Sequence, residues 1–202
     1  MVSFEDAEVF LPKYLSPESR KQLFAELKNF EHINYFCVVD DPEPLQGDGW
    51  MGVSFVDLDS SPISMRSTSI VVISNSCDIA QANQRKLPPR ITISPLIRLS
   101  RMVALLQKNG IDKEYVDQYC RDLRAQEVTN AFFLPRGAGI EEDSVVFLDN
   151  VQSIRLDGFA KSSERKRTFT LSQSAFWLYL VKLAIHYCRA QEGILRTSAQ
   201  VS

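Results

Sequence analysis

Hydrophobic positions follow two rhythms along the chain. A period near 3.6 runs through "YLSPESRKQLFAELKNF", where Leu23, Leu27 and Phe30 share a helical face. Ser16 stands as its N-cap and Pro17 at the first helical position. From Ile33 the pattern changes to short apolar runs: "INYFCVVDDPEP" ends in acids and prolines, "GWMGVSFVDLD" follows a Gly-rich turn, and Ser64 to Ser69 leads into "SIVVISN". "RITISPLIRL" alternates through Ile91 and Ile93 as a half-buried strand requires.

Helical spacing returns in "RLSRMVALLQKNG" and "DKEYVDQYCRDLRAQ", with Asn109 and Gly110 as a C-cap signal and Asp112 as the next N-cap. This reads as a helical hairpin inserted between strands. "NAFFLPRG" and "DSVVFLDNVQSIRLDGF" are strand-like again. The strongly apolar "TLSQSAFWLYLVKLAIHYCRA" predicts a helix starting at Thr170, with Gln173 completing a capping box. The expected organisation is one α+β domain over 1–202: a helical extension at 1–32, β-rich segments at 33–97 and 128–160, the insertion at 98–127, and a C-terminal helix at 168–191.

Composition narrows the class. With 202 residues, 45% of them hydrophobic, the chain can bury a full core. Cys37, Cys77, Cys120 and Cys188 form no C-x-x-C pair, so no zinc site or redox motif is indicated and reduced thiols in a cytosol are expected. No cofactor is expected. "LQGDGW" lacks the Gly-rich loop and lysine of a phosphate cradle and reads as a tight turn into Trp50. An acidic N-terminus and the lack of any run near the roughly 18 apolar residues of a membrane span predict a cytoplasmic protein without a membrane partner.

The net charge of −2 argues against coating nucleic acid through the overall field, but its distribution is uneven. Residues 1–60 hold twelve acids against four bases, whereas Ile79 to Ile111 holds no acid and six cations: Arg85, Lys86, Arg90, Arg98, Arg101 and Lys108. Lys161, Arg165, Lys166 and Arg167 form a second cluster. Either these mark an anion-binding face, or the acidic part packs against or is solvated beside the basic part. The basic middle segment contains no Phe, Tyr or Trp, so recognition by base stacking is not supported there.

"IVVISNSCDIAQANQRK" presents small polar groups at the end of a buried strand. Three readings stay open. Asp78, with Gln81 three residues on, caps a short helix while Cys77 packs as a small buried hydrophobe. Ser74, Asn75, Asp78, Arg85 and Lys86 bind a ligand, with Cys77 beside them. Or Cys77 is a nucleophile, for which His32 and His186 are the only histidines.

"SIVVISNS…RITISPLIRL" together with "VVFLDNVQSIRLDGF" resembles the MazF/PemK-like toxin barrels. In that family an apolar strand ends in Ser or Asn, a variable loop follows, and the next strand reaches a proline. Asp149, Asn150, Val151, Ser153 and Ile154 match its later "DQ-x-x-x-ID-x-x-R" segment, and "GDGWMGVSFVDLD" would be its opening strand. The chain is also similar to uncharacterised bacterial proteins carrying "CDIA". The resemblance covers about half the chain. It implies an SH3-like β-barrel, often dimeric, and in the toxins metal-independent RNA cleavage.

Cleavage needs a base for the 2′-hydroxyl and a cation for the phosphorane. The family's arginine position falls on Thr68, leaving Arg66 two residues earlier as the catalytic candidate. Leu96 and Ile97 follow Pro95 where the family places its Thr or Ser. The expectation is therefore a divergent, non-catalytic or weakly catalytic relative. It would bind nucleic acid, RNA more than DNA, or a cognate protein, in a toxin–antitoxin or phage-defence setting. The alternatives are an active endoribonuclease, and a protein-interaction subunit, homodimeric or in a hetero-complex, docking through an apolar Phe176–Tyr187 helix.

Overall fold

The computed structural model describes residues 33–57, 61–83, 85–162 and 164–187, together with Glu18 and Ala25. The helix expected over 16–30 lies outside the described residues. Among the described residues, eight strands and five helices follow in order: β1 (Phe36–Cys37), β2 (Gly49–Asp57), β3 (Ser64–Val72), α1 (Ser76–Ile79), β4 (Arg90–Arg98), α2 (Leu99–Lys108), α3 (Lys113–Arg124), β5 (Ala131–Leu134), β6 (Ser144–Phe147), β7 (Gln152–Arg155), α4 (Leu156–Lys161), β8 (Lys166–Leu171) and α5 (Gln173–Tyr187). The fold is mixed α+β, built on an open antiparallel sheet in the order β1-β8-β2-β3-β4-β6-β5, with β7 also paired to β4.

β4 joins the two parts of this sheet. One edge pairs with β3 through Ile93, Ser94 and Pro95; the other pairs first with β7, from Arg90 to Ile93, and then with β6, from Leu96 to Arg98. Ser94 and Pro95 occupy the change of partner, where a proline without an N–H is tolerated. The buried Ser94 hydroxyl donates to the Phe147 carbonyl at 2.8 Å, satisfying an acceptor at this break.

Strand alternation distributes side chains among three cores. Val71, Phe132, Leu134, Val146 and Leu148 face α5, together with Phe169 and Leu171 of β8. Ile70, Val72, Ile91 and Ile93 point the other way, onto Trp50, Val53, Phe55 and the Leu156 and Phe159 of α4. Ala131, Phe133 and Val145 pack on α2 and α3 through Met102, Val116, Cys120 and Leu123. The helical hairpin forms as expected: Asn109 ends α2, Gly110 takes φ +78°, and Asp112 accepts from the amides of Glu114 and Tyr115.

Three expectations are corrected. Thr170 and Leu171 belong to β8, which pairs with both β1 and β2, so α5 begins at Gln173 and Ser172 accepts from the Ala175 and Phe176 amides. The strand pattern ending at Phe159 stops at Arg155, because Leu156 and Phe159 come from a helix that covers the second core. The apolar α5 is no exposed docking face along most of its length: Trp177, Leu178, Tyr179, Val181 and Leu183 are buried within this chain.

Two buried ionic groups tie loops to this frame. Asp48 is fully buried, and burial pushes its carboxyl up, offset by the Leu45 amide and by the Arg167 guanidinium 2.9 Å away. Arg167 also donates to the Asp41 and Glu43 carbonyls and lies 5.0 Å from the Trp50 ring, which Arg165 approaches at 5.4 Å. On α5, the buried Lys182 ammonium donates to the Gln126 and Val128 carbonyls, at the exit of the helical hairpin.

Desolvation lowers the Lys182 pKa from 10.5 to about 8, and a neutral amine still has two hydrogens for its two carbonyls. Between pH 8 and 10.5 the unfolded chain therefore holds more protons at this site than the folded one, so this group's contribution to stability rises with pH across that window. Urea unfolding of wild type against Lys182→Met should show the difference in stability growing in favour of wild type from pH 8 to pH 10, by at most about 3 kcal/mol. A pH-independent difference would refute the assignment.

Candidate functional site

The β3–β4 connection carries the polar groups singled out in the sequence. The frame fixes its start: the Ile73 and Ser74 amides donate to the Thr92 carbonyl at 2.8 and 3.3 Å, and the Ser74 hydroxyl accepts from the Thr92 amide at 2.7 Å. Ser74 thus extends the β3–β4 pairing by a side-chain bond. A second strut comes from Gln46, whose side chain donates to the Ile73 carbonyl at 2.9 Å and whose amide donates to the Ser76 hydroxyl at 2.8 Å.

α1 is capped by Asn75, not Asp78. The Asn75 side chain accepts from the Cys77 amide at 2.9 Å, and the Asp78 amide donates to the Asn75 carbonyl at 3.0 Å. The helix ends at Ile79, whose buried side chain anchors it in the second core, so Gln81 lies outside it and no capping box forms. Asp78 instead pairs with Arg85 at 3.2 Å, with about 70% of its side-chain surface exposed.

Cys77 is exposed, which corrects its reading as a buried hydrophobe. Its carbonyl accepts from the Asn83 amide group and from Arg85, closing the loop on itself. His186, the one described histidine, stacks edge-on against Tyr187, whose hydroxyl reaches the Leu148 carbonyl at the far end of α5 from Tyr179 and Val72. His32 lies outside the described residues.

Ser74, Asn75, Cys77, Asp78 and Arg85 are therefore brought together, with the exposed Lys86 following Arg85 in the chain. Arg66 is not among them. It sits six residues before Val72 on β3, about 20 Å away along the strand. It is opposite Phe55 on the side of the second core and forms an ion pair with Asp57 at 3.8 Å. An in-line displacement needs its cation and base around one phosphate, and these residues are at opposite ends of a strand.

The Asp48–Arg167 pair and its stack on Trp50 carry no local sequence signal: Asp48 falls in a turn, and Arg167 in a basic cluster that becomes a strand only by pairing with β2. Among the described residues, no group of three or more His, Cys, Asp or Glu could hold a metal ion, and no helix is long and apolar enough to cross a membrane. No family model matches the chain, and no curated protein matches it.

The two roles in this loop are separable by stability. Asn75→Ala removes a helix cap and should cost about 1 kcal/mol in urea unfolding. Asp78→Ala removes only an exposed ion pair and should cost less than half of that. The reverse order would return the cap to Asp78.

Proposed function

We propose that this chain is a divergent MazF/PemK-like protein that binds RNA in preference to DNA, without cutting it or cutting it only weakly. Its setting would be the cytoplasm of a bacterium, in toxin–antitoxin or phage-defence biology. The observation that carries the reading is the division of labour in the β3–β4 loop. Its polar side chains hold the loop to the sheet, while the acid-free run of sequence brings Lys86 and Arg90 to the surface and Arg85 to the loop's edge.

Several features favour an SH3-like barrel as the finer description. β2, β3, β4 and β7 pair in chain order, and β8 returns antiparallel beside β2. The free edge of β2 meets β7 through the Gln152 side chain, which accepts from the Val56 amide at 3.2 Å. α4 fills the space between β7 and β8, with Ser162 donating to the Gly52 carbonyl at 2.7 Å. A small barrel can be completed by side chains and a short helix in this way, without a continuous ladder.

Weak or absent cleavage follows from the separation of Arg66 from every polar group in the loop, and from its partnership with Asp57. A cation paired at the far end of a strand contributes little to a phosphorane elsewhere.

The experiment is incubation of the purified chain with total RNA at stoichiometric protein, read both for fragments and for retardation on a native gel. The expected outcome is retardation at about 50 mM salt, weakened strongly by about 200 mM, with no new fragments. Extensive fragmentation at catalytic amounts of protein that disappears with Arg66→Ala would establish an efficient nuclease and reject this reading, as would the absence of retardation at low salt.

A further inference from the structure

The register of β4 against β7 places Arg90 directly opposite Arg155, with Thr92 opposite Ser153 one pair along on the same face. Arginines in this relation have β-carbons about 5 Å apart, and like charges directly opposite each other destabilise a sheet. Both side chains are exposed. The fold holds this repulsive pair in a fixed arrangement. Arg90 donates through Nε to the Ser153 hydroxyl at 3.0 Å and through Nη2 to the Ser153 carbonyl at 2.6 Å. Arg155 forms a two-point contact with Asp157, Nε to Oδ1 at 3.0 Å and Nη2 to Oδ2 at 2.8 Å.

The two arginines differ in what they retain. Among the described residues Arg90 is bonded only to the neutral acceptors of Ser153, so its charge is not neutralised there and N–H groups remain for a further partner. Arg155 is bound by a carboxylate that hydrogen bonding from Arg155 itself holds below the usual range. Asp157 is exposed over about 47% of its side-chain surface and lies at the start of α4, so an incoming anion competes with it at the surface rather than in the core. Lys86, in the segment leading into β4, and Lys161, at the end of α4, are further exposed cations on the chain segments that flank Arg90 and Arg155.

Two guanidinium groups pre-oriented on a rigid sheet, with the Thr92 and Ser153 hydroxyls at the next pair on the same face, match an anion repeated along a chain: each planar fork takes one phosphate oxygen pair, and fixed rotamers limit the entropy lost on binding. We propose that the Arg90–Arg155 pair on the outer face of β4 and β7 is the phosphodiester contact of this protein, with Ser153 positioning Arg90 and Asp157 acting as an intramolecular competitor for Arg155. This rests on the RNA-binding reading above and names its contact face, which is distinct from the Asn75–Arg85 loop and from Arg66.

The test is fluorescence anisotropy of a labelled single-stranded oligouridylate, titrated with the full chain over a salt series. Arg90→Gln combined with Arg155→Gln should weaken binding at least tenfold and reduce the slope of log K against log salt by about 1.4, the loss of two phosphate contacts. Asp157→Asn should tighten binding severalfold, a gain that a purely structural role for these residues would not produce. Lys113→Gln, a cation on α3, should leave binding unchanged. Thermal melts confirm that each variant is folded. Wild-type binding that neither the double Gln variant nor Asp157→Asn alters would overturn this contact face while leaving RNA binding in place. Absence of wild-type binding at low salt would overturn both.

Discussion

One strand carries the architecture. β4 is bonded to β3 along one edge and divides the other between β7 and β6, and its side chains and those of its partners enter all three cores. Strand alternation makes this economical: Ile91 and Ile93 fill the core beneath α4, while Leu96 and Ile97 reach toward α5 and the helical hairpin respectively. The partner change at Ser94 and Pro95 is what lets the β2-β3-β4-β7 pairings and the β4-β6-β5 pairings share one strand. The hairpin of α2 and α3 is then a cover for the second unit, entered directly from the end of β4 at Leu99.

Polar groups secure the boundaries of this frame. β5 ends the sheet, and its outer edge is met by the Gln126 side chain, which accepts from the Phe133 amide and donates to the Phe133 carbonyl, standing in for a strand one residue long. Blocking an edge in this way protects it from pairing with another chain. Gln126 adopts φ +56°, and its own carbonyl is held by Lys182, so the edge lock, the hairpin exit and α5 form one connected arrangement. At the opposite side, Arg167 gathers the 41–48 loop through Asp48 and two carbonyls. Such a pair is costly to bury and costlier to break.

Much of this was legible in local pattern. The strands at Gly49, Ser64 and Arg90, the helical hairpin and its caps all follow from periodicity and from Asn109, Gly110 and Asp112, where short-range chemistry decides the outcome. What escaped was decided at long range. β8 was hidden because Lys166 and Arg167 look like a solvated basic cluster, and only pairing with Gly49, Trp50 and Met51 gives them a strand. The cap moved from Asp78 to Asn75 because burial of Ile79 fixes where α1 begins and ends, outweighing the Asp–Gln spacing. Within the candidate site, Asn75, Asp78 and Arg85 are close because they are close in sequence. The distance to Arg66, and the meeting of Arg90 with Arg155, depend on strand length and register that no local motif encodes.

The functional reading depends on that rigidity, since a face of paired arginines works only if the strands holding them do not move apart. β4 makes the two sheet units one cooperative body. Native-state hydrogen exchange tests it most directly. Slowly exchanging amides of β3, β4, β6 and β7 should share one opening free energy, equal to that of global unfolding. If β5, β6, α2 and α3 open together at a distinctly lower free energy while β2, β3 and β7 stay protected, β4 does not unite the fold.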